Sequence, residues 1–153
     1  MITLPLKGGC QCGQLRYEIN ALPQTLYCCH CTECQAQSAS AFGTSLRCDG
    51  ASVKLSGEAK SFRRDKGRST EVECLFCPYC GSRVLHRRDS SSVDCSIKGG
   101  SLDDKHGMEP VGHIWTRSKQ GWVELPDETL QFETQPEDGY VELIAAFSKR
   151  YGP

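Results

Sequence analysis

Apolar and polar residues alternate over several short stretches, the two-residue period of a half-buried strand. In Gln14 to Asn20 the residues Leu15, Tyr17 and Ile19 share one face. Glu71 to Phe76 repeats the pattern through Val72, Cys74 and Phe76, and Ser92 to Ile97 repeats it through Val93, Cys95 and Ile97. Shorter strands are predicted at Thr44–Arg47, Ser52–Leu55, Lys60–Arg63 and Arg83–His86. The dipeptides Asp49-Gly50, Ser56-Gly57 and Lys66-Gly67 mark turns between them.

Two segments change period. Thr32-Glu33-Cys34-Gln35 has the capping-box form, with Thr32 at the N-cap and Gln35 three residues on, which predicts a short helix through Ser40. Near the C-terminus, Tyr140, Leu143, Ile144, Phe147 and Tyr151 recur at helical spacing. A polar stretch from Glu133 to Gly139 reads as a linker before it. The expected organisation is a mainly β domain over residues 1–132 and a linker with a helical tail over 133–153.

Composition adds a puzzle. The chain has 153 residues, enough for one domain, and Leu, Val, Ile and Phe make up only about a fifth of them, the lower edge for a self-sufficient core. Against this stand 11 cysteines. Few large apolar residues and many cysteines predict a stapled fold. Charges nearly cancel, 18 basic against 19 acidic for a net −1, so no basic stripe points to nucleic acid. The longest apolar run, Leu143 to Phe147, is far short of the ~20 residues of a membrane helix. Met1 to Lys7 lacks the charged and apolar regions of a secretory leader. The expected setting is therefore reducing and cytoplasmic, where lasting disulfides are rare.

An odd cysteine count and close spacing favour metal over disulfides. Cys10-Gln11-Cys12-Gly13 and Cys77-Pro78-Tyr79-Cys80-Gly81 supply four thiolates, each pair followed by a glycine that permits a tight knuckle. Four thiolates saturate a tetrahedral zinc, and the long loop it would close suits a structural role. The competing reading of Cys-Pro-Tyr-Cys is a glutaredoxin-type redox motif, which needs a strand-to-helix junction. Here the motif leads into Val84-Leu85, which reads as strand.

The second group, Cys29-His30-Cys31-Thr32-Glu33-Cys34, offers three thiolates and no evident fourth local ligand. An open position is the mark of a catalytic zinc. Cys28, Cys74, Cys95 or a histidine could close the site and make it a second inert staple, and an iron–sulfur cluster would also need a fourth ligand. A zinc with three thiolates is a weak acid for water but suits an incoming thiol, which it would hold as the nucleophilic thiolate. That chemistry points to thiol addition to, or release from, a small carbon electrophile.

Gly9-Cys10-Gln11-Cys12-Gly13, Cys29 to Cys34, Phe76 to Gly81, Gly100-Ser101-Leu102-Asp103-Asp104 and His113-Ile114-Trp115 with Trp122 follow one another in a specific order. In that order the chain resembles the glutathione-dependent formaldehyde-activating enzyme and centromere protein V family over residues 5 to 132. The resemblance implies an Mss4-like fold of several small antiparallel sheets around zinc. It implies two zincs per chain: a structural one on Cys10, Cys12, Cys77 and Cys80, and a catalytic one, readily lost on isolation, on Cys29, Cys31 and Cys34. The implied activity is that of a carbon–sulfur lyase condensing glutathione with formaldehyde to S-hydroxymethylglutathione. Cys28, beside Cys29, departs from the pattern, and the tail after Phe132 lies outside it.

Other residues have two readings each. Gly100 and Ser101 either meet an anionic ligand or form a plain turn. His113 and Trp115, with Trp122, either line a substrate pocket or pack in the core. His30 is expected to point away from the metal. Arg63, Arg64, Lys66 and Arg68 either hold glutathione carboxylates or form a solvated face. Cys48 and Cys95 read as buried packing residues. Three functions follow: a zinc-dependent lyase joining a thiol to a small aldehyde, a zinc enzyme of the same fold with another thiol or electrophile, or a non-catalytic zinc module that binds protein partners. An open second site favours the enzymes and a closed one the module. No nucleic-acid or membrane partner is expected, and homo-oligomerisation is left open.

Overall fold

The computed structural model describes residues 2–64, 71–88 and 93–152. The chain is mainly β, with two α-helices, as the period of its apolar residues predicts. Strands β1 (Leu6–Gly9), β2 (Arg16–Ile19) and β5 (Val53–Ser56) form a small antiparallel sheet in the order β1-β2-β5. Eight more form a larger sheet: β3 (Thr25–Cys29), β4 (Gly43–Asp49), β6 (Lys60–Arg64), β7 (Val72–Phe76), β8 (Arg83–Arg87), β9 (Asp94–Lys98), β10 (Gly112–Ile114) and β11 (Leu130–Phe132). Their order is β11-β10-β3-β4-β9-β8-β7-β6, and β10 runs parallel to both β3 and β11, so this sheet is mixed.

The core lies between the sheets. Leu15, Tyr17 and Ile19, the alternating face of the first predicted strand, are fully buried with Leu46, Ile97 and Val84 from the larger sheet. Strand β3 is buried along its whole length, because both its faces are covered. The Thr25 hydroxyl donates to the carbonyl of Leu143, and the Tyr27 ring lies 5.3 Å from that of Tyr140. A strand covered on both sides has no alternation to reveal it.

Helix α1 (Thr32–Ser38) is shorter than the sequence suggests and starts differently. Its N-cap is Cys31, whose sulfur accepts from the backbone N–H of Cys34. Thr32 is therefore not the cap, and no capping box forms. Gln35 turns its amide to the carbonyls of His30, at 2.7 Å, and Ser118, at 2.9 Å. Helix α2 (Val141–Tyr151) buries Leu143 and Phe147, one turn apart. The Asp138 carboxylate accepts from the backbone of Tyr140 at 2.9 Å and of Glu142 at 2.8 Å, which satisfies donors at the helix start. Among the described residues no helix is long and apolar enough to cross a membrane. The predicted turn at Lys66-Gly67, with Arg68 and Ser92, falls outside the described residues.

Candidate metal centres and the cavity between them

Cys10 and Cys12 sit in the β1–β2 connection, and Cys77 and Cys80 in the β7–β8 turn. The four sulfurs lie within 4.8 Å of one another. Cys10 and Cys12 are 3.5 Å apart, and Cys12 and Cys77 are 3.7 Å apart. Four sulfurs at ~2.3 Å from one tetrahedral ion would stand ~3.8 Å apart, so the set fits a zinc or similar ion. The turns are built for this convergence. Gly13 and Gly81 adopt φ of +81° and +73°, a left-handed backbone that L side chains resist. The backbone N–H of Leu15 points at Cys10 Sγ at 3.2 Å. Hydrogen bonding to the Ser82 side chain and backbone pulls the Cys80 thiol down to about 5. The Cys77-Pro78-Tyr79-Cys80 motif joins strand to strand, without the helix that a glutaredoxin-type thiol requires.

The second group is formed by one continuous passage of chain. Cys29 ends β3, Cys31 caps α1 and Cys34 lies in its first turn. All three are buried, and their sulfurs lie within 4.8 Å of one another. The Cys29 thiol donates to Cys31 Sγ at 3.5 Å. This bond, with a second from Cys34, holds Cys31 down at about 2 as the thiolate of the trio, while Cys29 is pushed far up. Gln37 Nε2 donates to Cys34 Sγ at 3.6 Å.

Among the described residues no fourth Cys, His or carboxylate joins this trio. Cys28 neighbours Cys29 on β3, so its side chain leaves by the opposite face, and burial pushes its thiol up to about 12. Cys95 stands opposite Cys48 on β9 and β4, and Cys74 stands opposite His86 on β7 and β8. His30 points its Nε2 to Nδ1 of His113 at 3.0 Å. Three sulfurs alone would leave one position of a tetrahedral ion unfilled by the described residues.

A cavity of about 770 Å³ lies between the two groups. Cys10 and Cys80 line it from the first group; Gln37, which donates to Cys34, and Gly43, which pairs with Cys29 across β3 and β4, line it from the second. Gly100 and Ser101 line it as well. A side chain added at Gly100 would meet nothing within 4 Å, whereas the Ser101 hydroxyl is engaged by Tyr17 at 2.9 Å and by the Lys98 carbonyl at 2.6 Å. His113 and Trp115 do not line this cavity: His113 is buried against His30, and Trp115 Nε1 donates to Gln135 at 3.3 Å. Trp122 is exposed and donates to Gln120. Arg63 pairs with Glu71 at the surface.

Lys98 and Arg83 line the cavity too, and neither stands out in the sequence. Lys98 follows Ile97 at the end of an alternating strand, on the face shared by Asp94 and Ser96. A lysine closing that strand just before Gly99-Gly100 is the only local signal. Arg83 has none, because the turn before it draws attention to cysteine.

A family model for the glutathione-dependent formaldehyde-activating enzyme matches residues 5–118. A crystal structure of a Rhodobacter sphaeroides protein superposes with a TM-score of 0.51 and 20% identity, over 68% of this chain and 91% of that one, which supports the fold. No curated protein matches the chain. With the matched segment holding both cysteine groups and the turn at Gly100, the chain belongs to the glutathione-dependent formaldehyde-activating enzyme family.

Proposed function

We propose that the protein is a zinc-dependent carbon–sulfur lyase that joins a thiol to a small aldehyde, with glutathione and formaldehyde as the pair. The carrying observation is the trio of Cys29, Cys31 and Cys34, three mutually close sulfurs with no fourth partner among the described residues, beside a cavity. In this reading Cys10, Cys12, Cys77 and Cys80 hold a structural zinc, and the trio holds the catalytic one. Bound there, zinc supplies a position that keeps an incoming thiol as its thiolate.

The chain's own residues do the rest. Cys31, held as thiolate, and Cys29 and Cys34 anchor the ion. Gln37 fixes Cys34 from the cavity side. The cavity walls orient the body of the thiol so that its sulfur faces the trio. The thiol sulfur then forms a bond to the carbonyl carbon, the C=O π pair moves to oxygen, and that oxygen takes up the proton the thiol released. A reducing, cytoplasmic setting agrees with a chain whose eleven cysteines form no disulfide.

The test is the rate of exchange between formaldehyde and S-hydroxymethylglutathione, followed by NMR with zinc-loaded protein. Wild type should accelerate the exchange and Cys34→Ser should not. Equal rates with and without wild-type protein would sink the proposal.

A further inference from the structure

The cavity is electrostatically lopsided. Arg16, Arg83, Lys98 and Lys105 line it against one carboxylate, Asp103. Arg16 takes that carboxylate, with its Nη1 3.0 Å from Oδ1. Lys105 donates to the carbonyl of Leu102 at 2.7 Å. Lys98 Nζ and Arg83 Nε are buried and have no hydrogen-bond partner among the described residues. A buried cation without a partner is costly, and unmatched donors in side chains that line a cavity call for a group that completes them. Lys98 ends β9 opposite Ser45 of β4 and lines the cavity beside Gly43 and Thr44 of that strand. The volume suits a ligand of peptide size, since typical ligand pockets span ~300–1,000 Å³.

We infer that Lys98 and Arg83 are specificity-determining residues that receive a carboxylate of the thiol substrate, so that the enzyme selects anionic thiols over neutral ones. This rests on the lyase reading for its substrate, but not for its geometry. Both side chains share the cavity wall with Gln37 and Gly43, and a carboxylate held there would leave the rest of a short thiol peptide room along Gly100. That glycine leaves open space where a side chain would project. Lysine and arginine together offer a point charge and a planar fork, which suits a carboxylate approached from one side.

The test is calorimetric titration of zinc-loaded protein with S-methylglutathione and with its diethyl ester. The blocked sulfur keeps the metal out of the measurement. Wild type should bind the dicarboxylate roughly tenfold more tightly than the ester, the scale of a charge-assisted hydrogen bond. Lys98→Met should shrink that ratio to about twofold, and Lys98→Arg should keep most of it. Arg83→Gln, at a half-buried position, carries the same expectation should Lys98→Met fail to fold by circular dichroism.

Equal affinities in wild type would overturn the inference, as would a ratio unchanged in both variants. Loss of zinc from Lys98→Met with the ratio intact would make Lys98 a counter-charge to the metal centre only, and also overturn it. Displacement of the peptide by inorganic phosphate of similar affinity would make this a general anion site and overturn it too. A protein that discriminates the two peptides but does not accelerate the aldehyde exchange keeps this inference and loses the lyase reading; the converse result does the reverse.

Discussion

The backbone N–H of Cys34 donates to the sulfur of Cys31 at 3.4 Å, so one candidate metal ligand is also the N-cap of the helix that carries another. Candidate ligation and helix initiation thus share one side chain. Cys31→Ser and Cys31→Ala should both lose the metal of the trio. They should differ in stability, because serine still caps and alanine does not, a gap of about 1 kcal/mol. Urea unfolding of the two variants measures it, and equal midpoints would deny the capping role.

The first cysteine group joins the small sheet to the large one through two connections remote in sequence. Stripping its metal with a chelator, or replacing Cys77 by serine, should lower stability by about 4 kcal/mol or more. Differential scanning calorimetry should show the melting temperature fall in both cases. Cys34→Ser should shift it far less, since the trio lies within one local passage of chain.

Burial holds His113 below the ordinary histidine value, so the folded protein keeps it neutral where the unfolded chain takes up a proton. Its contribution is complete above pH ~6.5 and is lost as the pH falls through the depressed folded value. Stability should therefore decline on acidification from pH 7.5 to 5.5, and His113→Gln should decline less steeply. Denaturant midpoints at several pH values test this; parallel curves for the two proteins would refute it.

Gly8 packs against Tyr17 and Ser101, and Ser101 lines the cavity. A Cβ there would stand 2.3 Å from the Tyr17 hydroxyl and 2.4 Å from the Ser101 carbonyl. Gly8→Ala should cost about 1–3 kcal/mol through overpacking and displace the Gly99–Ser101 turn. Both the unfolding midpoint and the affinity for S-methylglutathione should drop. A fully stable variant with unaltered affinity would show that this wall yields freely.

Much of the site was legible in the chain, because metal ligation demands particular residue types at particular spacings. Cys10, Cys12, Cys77 and Cys80 could be grouped without coordinates, and so could Cys29, Cys31 and Cys34. The strands with one solvated face, such as the one through Leu15, Tyr17 and Ile19, were legible for the same reason: a half-buried strand must alternate. Strand β3 was not, since both of its faces are covered. Nor were the parallel pairings of β10 with β3 and β11, which depend on distant connections. The capping box was misleading because the N–H of Gln35, which the Thr32 side chain would have held, goes to the Cys31 carbonyl, and the cap falls one residue earlier on the Cys31 sulfur. Lys98 and Arg83 meet only when β8 and β9 pair and the turn at Cys77 folds back, and no local spacing encodes that meeting.

Cys10 and Cys80 contribute to the first metal group and also to the wall of the cavity. The ion that reads as a mere staple would therefore act as a spacer, setting how far apart the two sheets hold their jaws. Partial demetallation should then blunt substrate selectivity before it melts the protein. In a cell short of zinc, a lyase of the proposed kind would lose its taste before it lost its shape.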